Sequence, residues 1–229
     1  MRNNIIAFVP CRAGSQRIPN KNTKLFAGSS LLNIKLDQLL QVEKIEQIIV
    51  STDDEKVITI CKEYNNEKIS VHKRDSYYAS SECTNDEFIK YFADTLNFEG
   101  HLLWTHVTSP FCNTATYERA ISQYLKFTDE YDSLVSVELL RGYIWGKDNK
   151  PLNYDMSKMG RWPKTQDIDP YFLLNSAIFL LPRQLMKEKQ DRVGDKPYFF
   201  PMNQLESFDI DWPEDFVLGE KIWSAFNNK

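Results

Sequence analysis

The 229 residues carry 28 Lys and Arg against 32 Asp and Glu, a formal charge of −4, with 42% hydrophobic and 26% charged residues. That length suits one large domain or a domain with an appendage. The acidic balance argues against a general nucleic-acid binder, and no run approaches the ~20 apolar residues of a membrane span.

Residues 5–9, IIAFV, form a short apolar run that ends at a turn and predict a buried strand. The run before Arg12 is too short for the apolar core of a secretory leader. In SSLLNIKLDQLLQVEKI the residues Leu32, Leu36, Leu39 and Leu40 follow the helical period, with Ser29 or Ser30 as the cap. A second buried strand is predicted at 46–51. A helix follows over 53–64, its acids in the first turn where the helix dipole favours them, and then a third strand at 68–72. After the polar stretch KRDSYYASSEC, Thr84 and Glu87 form a T-x-x-E capping box opening a helix to about Leu96.

Strands are predicted at 101–107 and 133–139, with a helix over 114–127 between them. From Arg141 to Pro170 the alternation gives way to a stretch rich in Tyr, Trp, Lys, Asp and Pro, which reads as an inserted arm at approximately 141–170. A strand at 176–181, a last strand at 206–211 and a helix opening near Pro213 complete the chain. This alternation predicts an α/β fold, a mostly parallel sheet flanked by helices, in a single domain over 1–229 with a small arm. Cys11, Cys61, Cys83 and Cys112 contain no C-x-x-C pair. Neither a zinc site nor a disulfide framework is expected, and reduced thiols in the cytoplasm are.

Two segments carry chemistry. CRAGSQRIPNKN falls at the end of the first strand, and ligands of open α/β sheets bind outside such ends. Gly14 and its small neighbours let backbone N–H groups approach an anion, and Arg12, Arg17 and Lys21 add three positive charges within ten residues. Together they suit a polyphosphate, although the segment matches neither G-x-x-x-x-G-K-[ST] nor G-x-G-x-x-G; the alternative is a solvated basic turn. In ESFDIDWPEDF, Asp209 and Asp211 stand two apart, so on a strand both face one side while Phe208, Ile210 and Trp212 face the other. Such a pair can hold Mg²⁺ together with waters and substrate phosphates, or can be a solvent-facing acidic strand end. A phosphate cradle plus a carboxylate pair is what nucleotidyl transfer needs. Ser51, Thr52 and Asp53 in STDDEKV either contact ligand or cap a helix. Thr108 and Ser109 in HVTSPF stand at the same ligand-facing edge or close a turn.

VPCRAGSQRIPNKN resembles the P-A-R-x-G-S-K-x-[IL]-P-x-K-N signature of the acylneuraminate cytidylyltransferases, the CMP-sialic acid synthetases. IIVSTDDEKV, KRDSYYAS, HVTSPF and TQDIDPYFLLNSAIFLLPR are similar to the family's successive motifs, in family order, and ESFDIDWPEDF matches its I-D-I-D-x-x-x-D-F close. The resemblance spans residue 5 to about 216. It implies a nucleotide-diphospho-sugar transferase-like domain that moves CMP from CTP to a 2-keto sugar acid with one or two Mg²⁺, as a homodimer joined through the arm. It also implies site residues. Arg12, Ala13, Gly14, Ser15, Lys21, Asn22 and Arg74 would hold the nucleotide, with Arg12 and Lys21 also catalytic. Asp209 and Asp211 would hold metal and take part in catalysis. His106, Thr108, Ser109, Gln166 and Asn175 would bind the sugar acid; Arg161 and Lys164, from the same or the partner subunit, are candidates for its carboxylate or are solvated charges on the arm. The sequence departs from the family at His106, where glutamine is usual, at Cys112, where arginine is usual, and at Ser176, where glycine is usual; these bear on substrate identity. Two alternatives remain open: a transferase of the same fold acting on a sugar 1-phosphate, and a non-catalytic nucleotide-binding module.

Overall fold

The structure, a computed structural model, describes residues 4–126 and 130–227. In chain order it runs β1 (Ile5–Pro10), a ribbon of β2 (Leu25–Phe26) and β3 (Ser29–Ser30), α1 (Leu31–Leu40), β4 (Ile45–Thr52), α2 (Glu55–Glu63), β5 (Ile69–Lys73), α3 (Ser76–Ala79) and α4 (Asn85–Thr95). It continues with β6 (His101–Trp104), α5 (Thr114–Tyr124), β7 (Ser133–Leu140), α6 (Met156–Met159), β8 (Tyr171–Pro182), α7 (Arg183–Lys189), β9 (Pro197–Met202) and α8 (Pro213–Asn227). Among the described residues no helix is long and apolar enough to cross a membrane.

The main sheet has the order β5-β4-β1-β6-β8-β7-β9. β1 pairs in parallel with β4 and β6, β4 with β5, and β7 with β9, while β8 runs antiparallel to both β6 and β7. The chain leaves β1 toward β4 and β5 and returns on its other side as β6. This switch point opens a crevice at the carboxyl ends of the strands.

β1 is apolar at every position because both faces of the sheet are covered. Ile5, Ala7 and Val9 face a core built with α1, α2, α5 and α8, and Phe8 faces a second core with Phe92 and Trp104. The helix starts follow capping chemistry. Ser30 accepts the N–H of Asn33, and Thr84 and Glu87 exchange the reciprocal bonds of the capping box. The cap of α2 is Asp54, not one of its three predecessors.

The strand expected at 206–211 is not formed. Glu206, 9% exposed, accepts from Thr116 and Arg119 on one oxygen and from the Asn203 N–H on the other. These bonds fold the segment into a turn docked on α5, away from any strand partner. The last strand is instead β9, PYFFPM. Two prolines would argue against a strand inside a sheet, but this one lies at the sheet edge, where proline is tolerated. Trp212, which the alternation places on the face opposite the aspartates, is exposed beneath Arg17, whose guanidinium lies 4.4 Å from the ring.

β8 is twice as long as the predicted 176–181 strand and carries an irregularity. Val135 faces Phe179 but Val137 faces Leu174, so β8 holds extra residues opposite Ser136. The Ser136 hydroxyl pins this bulge, donating to the Asn175 Oδ1 at 2.5 Å and accepting the Ile178 N–H at 2.9 Å. The helix over 114–127 is observed to Tyr124; position 127 lies outside the described residues.

Candidate active site

At the carboxyl ends of β1 and β6 lies a cleft of two adjoining lobes, about 440 and 360 Å³, which share Pro10, Arg12, Gln16, Asn85, His106 and Ser176. The larger lobe runs between the basic loop and the 209–211 segment. The smaller one extends toward Arg74, Phe88, Trp104 and Arg192.

Local turns shape the basic loop. Gly14 sits at φ 69°, the left-handed region where a side chain is strained. Ile18, 2% exposed, anchors the far end in the core. Two cross-bonds hold the rest: the Ala13 N–H donates to Asp53 Oδ1 at 2.7 Å, and the Asn22 carboxamide donates to the Arg12 carbonyl at 3.1 Å. Arg12 donates to the carbonyls of Ala79 and Ser80, tying the loop to the segment after β5. Lys21 reaches across the cleft, donating to the Ile210 carbonyl at 2.8 Å and lying 3.4 Å from Asp211 Oδ1. Arg17 pairs with the other Asp211 oxygen at 3.3 Å.

The acidic segment hangs on the turn after β6. The Ile210 N–H donates to the Thr108 carbonyl, and Ile210 is fully buried, so its two neighbours are presented to the cleft. The Ser109 hydroxyl lies 3.5 Å from Asp209 Oδ1. The turn rests on Lys35, a fully buried lysine that donates to the carbonyls of Ser109 and Cys112 and to the Tyr117 hydroxyl, at 2.9, 3.2 and 2.6 Å. Burial lowers the Lys35 pKa to about 8. Asp209 is raised above the usual carboxylate range, first by burial and then by the charge of Asp211, against the pull of the Thr108 hydrogen bond and Lys21. Among the described residues there is no group of three or more His, Cys, Asp or Glu that could hold a metal ion. Two carboxylates alone are the sparse oxygen set that Mg²⁺ shares with waters and phosphates.

In the smaller lobe His106 has a defined protonation. Its Nε2 receives the indole N–H of Trp104 at 3.0 Å, and an Arg192 nitrogen lies 3.3 Å away. Both neighbours can only donate, so Nε2 is the acceptor and the proton sits on Nδ1. Burial, then the charge of Arg192, lowers the His106 pKa to about 3. Arg74 is buried, donating to the hydroxyl and carbonyl of Ser51 and covering the Phe88 ring at 4.1 Å. Desolvation lowers its pKa to about 10. Cys83, also on this wall, has its thiol pKa raised by burial, the opposite of a reactive thiolate.

The cytidylyltransferase family model matches residues 6–222, most of the chain. The chain belongs to the cytidylyltransferase family. The N-acylneuraminate cytidylyltransferase of Streptococcus agalactiae serotype III (strain NEM316) is 26% identical over 215 residues, covering 93% of this chain and 51% of that protein. The CMP-N,N'-diacetyllegionaminic acid synthase of Legionella pneumophila subsp. pneumophila is 26% identical over 228 residues, covering 95% of both. The chain thus spans about half the length of some of the curated relatives it matches. A CMP:2-keto-3-deoxy-manno-octonic acid synthetase solved in complex with CTP shares the fold, with a TM-score of 0.67 at 12% identity over 97% of this chain and 99% of that one.

In this cytidylyltransferase fold the cleft brings together Arg12, Ser15, Lys21, Asn22, His106, Thr108, Asp209 and Asp211 from among the residues picked out by sequence. Arg74 lines the adjoining lobe. Other assignments change. Ala13 cannot offer its N–H to a phosphate, because Asp53 holds it. Ser109, 1% exposed, is a brace beside Asp209. Asn175 turns its amide inward to Ser136, the Ala177 N–H and Met202, holding the β8 bulge, and Ser176 is the residue that reaches the cleft. Gln166 sits exposed in a short turn of the arm and does not line either lobe, and neither do Arg161 and Lys164. The departure at Cys112 is not a cleft feature, since this side chain is fully buried. Sequence reasoning missed Gln16, Asn85, Arg192 and the strut Lys35. A lysine on the apolar face of a helix was the only signal for Lys35.

Proposed function

We propose that the protein transfers CMP from CTP to the anomeric hydroxyl of a 2-keto sugar acid, of the sialic acid or related nonulosonate class, releasing pyrophosphate. The observation that carries this is the closure of the basic loop on the aspartate pair across one cleft, with Lys21 2.8 Å from the Ile210 carbonyl and 3.4 Å from Asp211. The names of the matched relatives point to the same substrate class.

Arg12, Arg17 and Lys21 neutralise the triphosphate. Gly14 keeps open space above the loop backbone, with nothing within 4 Å of where a side chain would stand. Transfer of this kind depends mainly on positioning and charge stabilisation. Asp209 and Asp211 fit Mg²⁺ as a two-carboxylate set; the ion supplies Lewis-acid polarisation of phosphate and hydroxyl when bound. Lys21 and Arg17 hold the Asp211 carboxylate meanwhile and pass to the phosphates as ligand enters. If a protein side chain takes the proton of the sugar hydroxyl, an aspartate of the pair, Asp209 or Asp211, is the candidate. His106 presents a neutral Nδ1–H donor to the sugar acid.

The working unit is a homodimer. Tyr171, Phe172, Leu173 and Leu174 are each 41–49% exposed. Consecutive strand residues point to opposite faces, so the first part of β8 exposes apolar side chains on both faces, which a second copy would cover. All four cysteines are free, which supports a cytoplasmic setting. The test is pyrophosphate release with CTP fixed while sugar acids and sugar 1-phosphates are varied. Release with an acid and not with a phosphate is expected; release only with sugar phosphates, or only with another nucleoside triphosphate, refutes the assignment.

A further inference from the structure

We infer that Arg192 is the residue that recognises the carboxylate of the sugar acid, with the guanidinium held ready by Trp104, Phe179 and His106. The inference rests on the function proposed above. Arg192 follows α7 and lines the smaller lobe together with His106. Its guanidinium lies 4.0 Å from the Phe179 ring centre and 5.5 Å from that of Trp104. One of its nitrogens lies 3.3 Å from His106 Nε2. Among the described residues it forms no ion pair. The neighbouring Asp191 turns its Oδ1 to the backbone N–H groups of Arg192 and Val193 instead. Desolvation lowers the Arg192 pKa, with Asp191 pulling weakly the other way.

A guanidinium lying over aromatic rings, partly removed from water and with His106 Nε2 but no carboxylate as partner, has donors to spare, and its fork matches a carboxylate bidentately. The other cleft cations are engaged. Arg17 and Lys21 hold Asp211, Arg12 holds the carbonyls of Ala79 and Ser80, and Arg74 is bonded to Ser51. The triphosphate belongs to the basic loop, so the one anion of the reaction left to place is the sugar carboxylate. Arg161 and Lys164, the sequence candidates for that role, do not line the cleft in this chain. His106 links the two lobes, so a sugar carboxylate on Arg192 leaves the ring within reach of the Nδ1–H and of the larger lobe.

The experiment compares the sugar acid with its C1 carboxamide for the wild type, Arg192→Gln and Arg192→Lys, reading steady-state pyrophosphate release and binding by calorimetry with a non-hydrolysable CTP analogue. The wild type is expected to prefer the acid. Arg192→Gln should raise KM for the acid about 100-fold, leave KM for CTP unchanged, and remove the preference over the amide. Arg192→Lys, which keeps the charge without the fork, should fall between. Equal losses on acid and amide, no change in either variant, or a wild type indifferent to the carboxylate would each overturn the inference. The last of these is decided without any variant, so a variant that does not fold leaves the result readable. A wild type that releases pyrophosphate with no sugar acid fails at the first step and overturns both this assignment and the proposed function; an active wild type with equal losses overturns this assignment alone.

Discussion

Lys35 is a buried cation whose replacement by methionine isolates its role as a strut. The side chains are nearly isosteric, so packing is preserved while three hydrogen bonds are lost. Bonds from a charged donor are each worth about 1.5–3 kcal/mol, roughly 4.5–9 kcal/mol in all. Against this stands the penalty of burying the ammonium. Its pKa falls from 10.5 to about 8, which corresponds to about 3 kcal/mol. The net expectation for Lys35→Met is a loss of about 1–6 kcal/mol. A value near 3 lowers Tm by about 6–12 °C for a chain of this length.

The sign of the pH dependence is specific. A lysine whose pKa is depressed in the fold contributes stability that is present above its unfolded value of 10.5 and lost as pH falls through about 8. Wild type should therefore gain on the methionine variant, by about 2 kcal/mol between pH 8 and 10. Urea melts of both proteins at pH 8, 9 and 10 read this directly. A methionine variant at least as stable as wild type, or an advantage that shrinks with rising pH, refutes the reasoning. Turnover should fall as well, since the Ser109–Cys112 turn that carries Ser109 to Asp209 loses its support.

The remaining predictions concern the cleft and acid stability. Asp209→Asn should raise the Tm of the ligand-free protein at pH 7 while abolishing turnover. A carboxyl whose folded pKa is raised carries stability present below its unfolded value and lost on ionisation, so a lowered Tm would show that the burial penalty is not real. Asp211→Asn should nearly abolish turnover with the fold intact by circular dichroism, and most activity retained in saturating Mg²⁺ would count against its role. Asp53→Ala frees the Ala13 N–H and loosens the basic loop, so KM for CTP should rise about tenfold; an unchanged KM would show that the bond does not position the loop. His72, His101 and His106 all have lowered pKa values, chiefly through burial. The unfolded chain therefore takes up their protons first, and stability should start to fall near pH 6.5, before the carboxylates titrate. Melting curves flat from pH 7 to 5 would contradict this.

Much of the scaffold and one half of the site were legible locally. Period-2 and period-3.6 patterns, Ser30 and the Thr84–Glu87 box depend only on near neighbours in the chain, and so does the left-handed turn that requires Gly14. The basic loop and the aspartate pair were visible as residue types at the right spacing. Their meeting was not, because Lys21 and Asp211 are 190 positions apart and are joined only by the sheet order. The errors share that cause. β9 was hidden because its prolines are acceptable only at an edge, and edge position belongs to the sheet. The 206–211 segment alternates like a strand, but the buried Glu206 docks it on α5. Asn175 and Ser176 exchanged roles because a bulge opposite Ser136 shifts the register of β8. Arg192 was not singled out, because only the fold lays it against Phe179 and Trp104. Periodicity and capping are settled within a few residues of chain, whereas desolvation, ion pairing and the direction a side chain faces are properties of whatever the folded chain brings alongside.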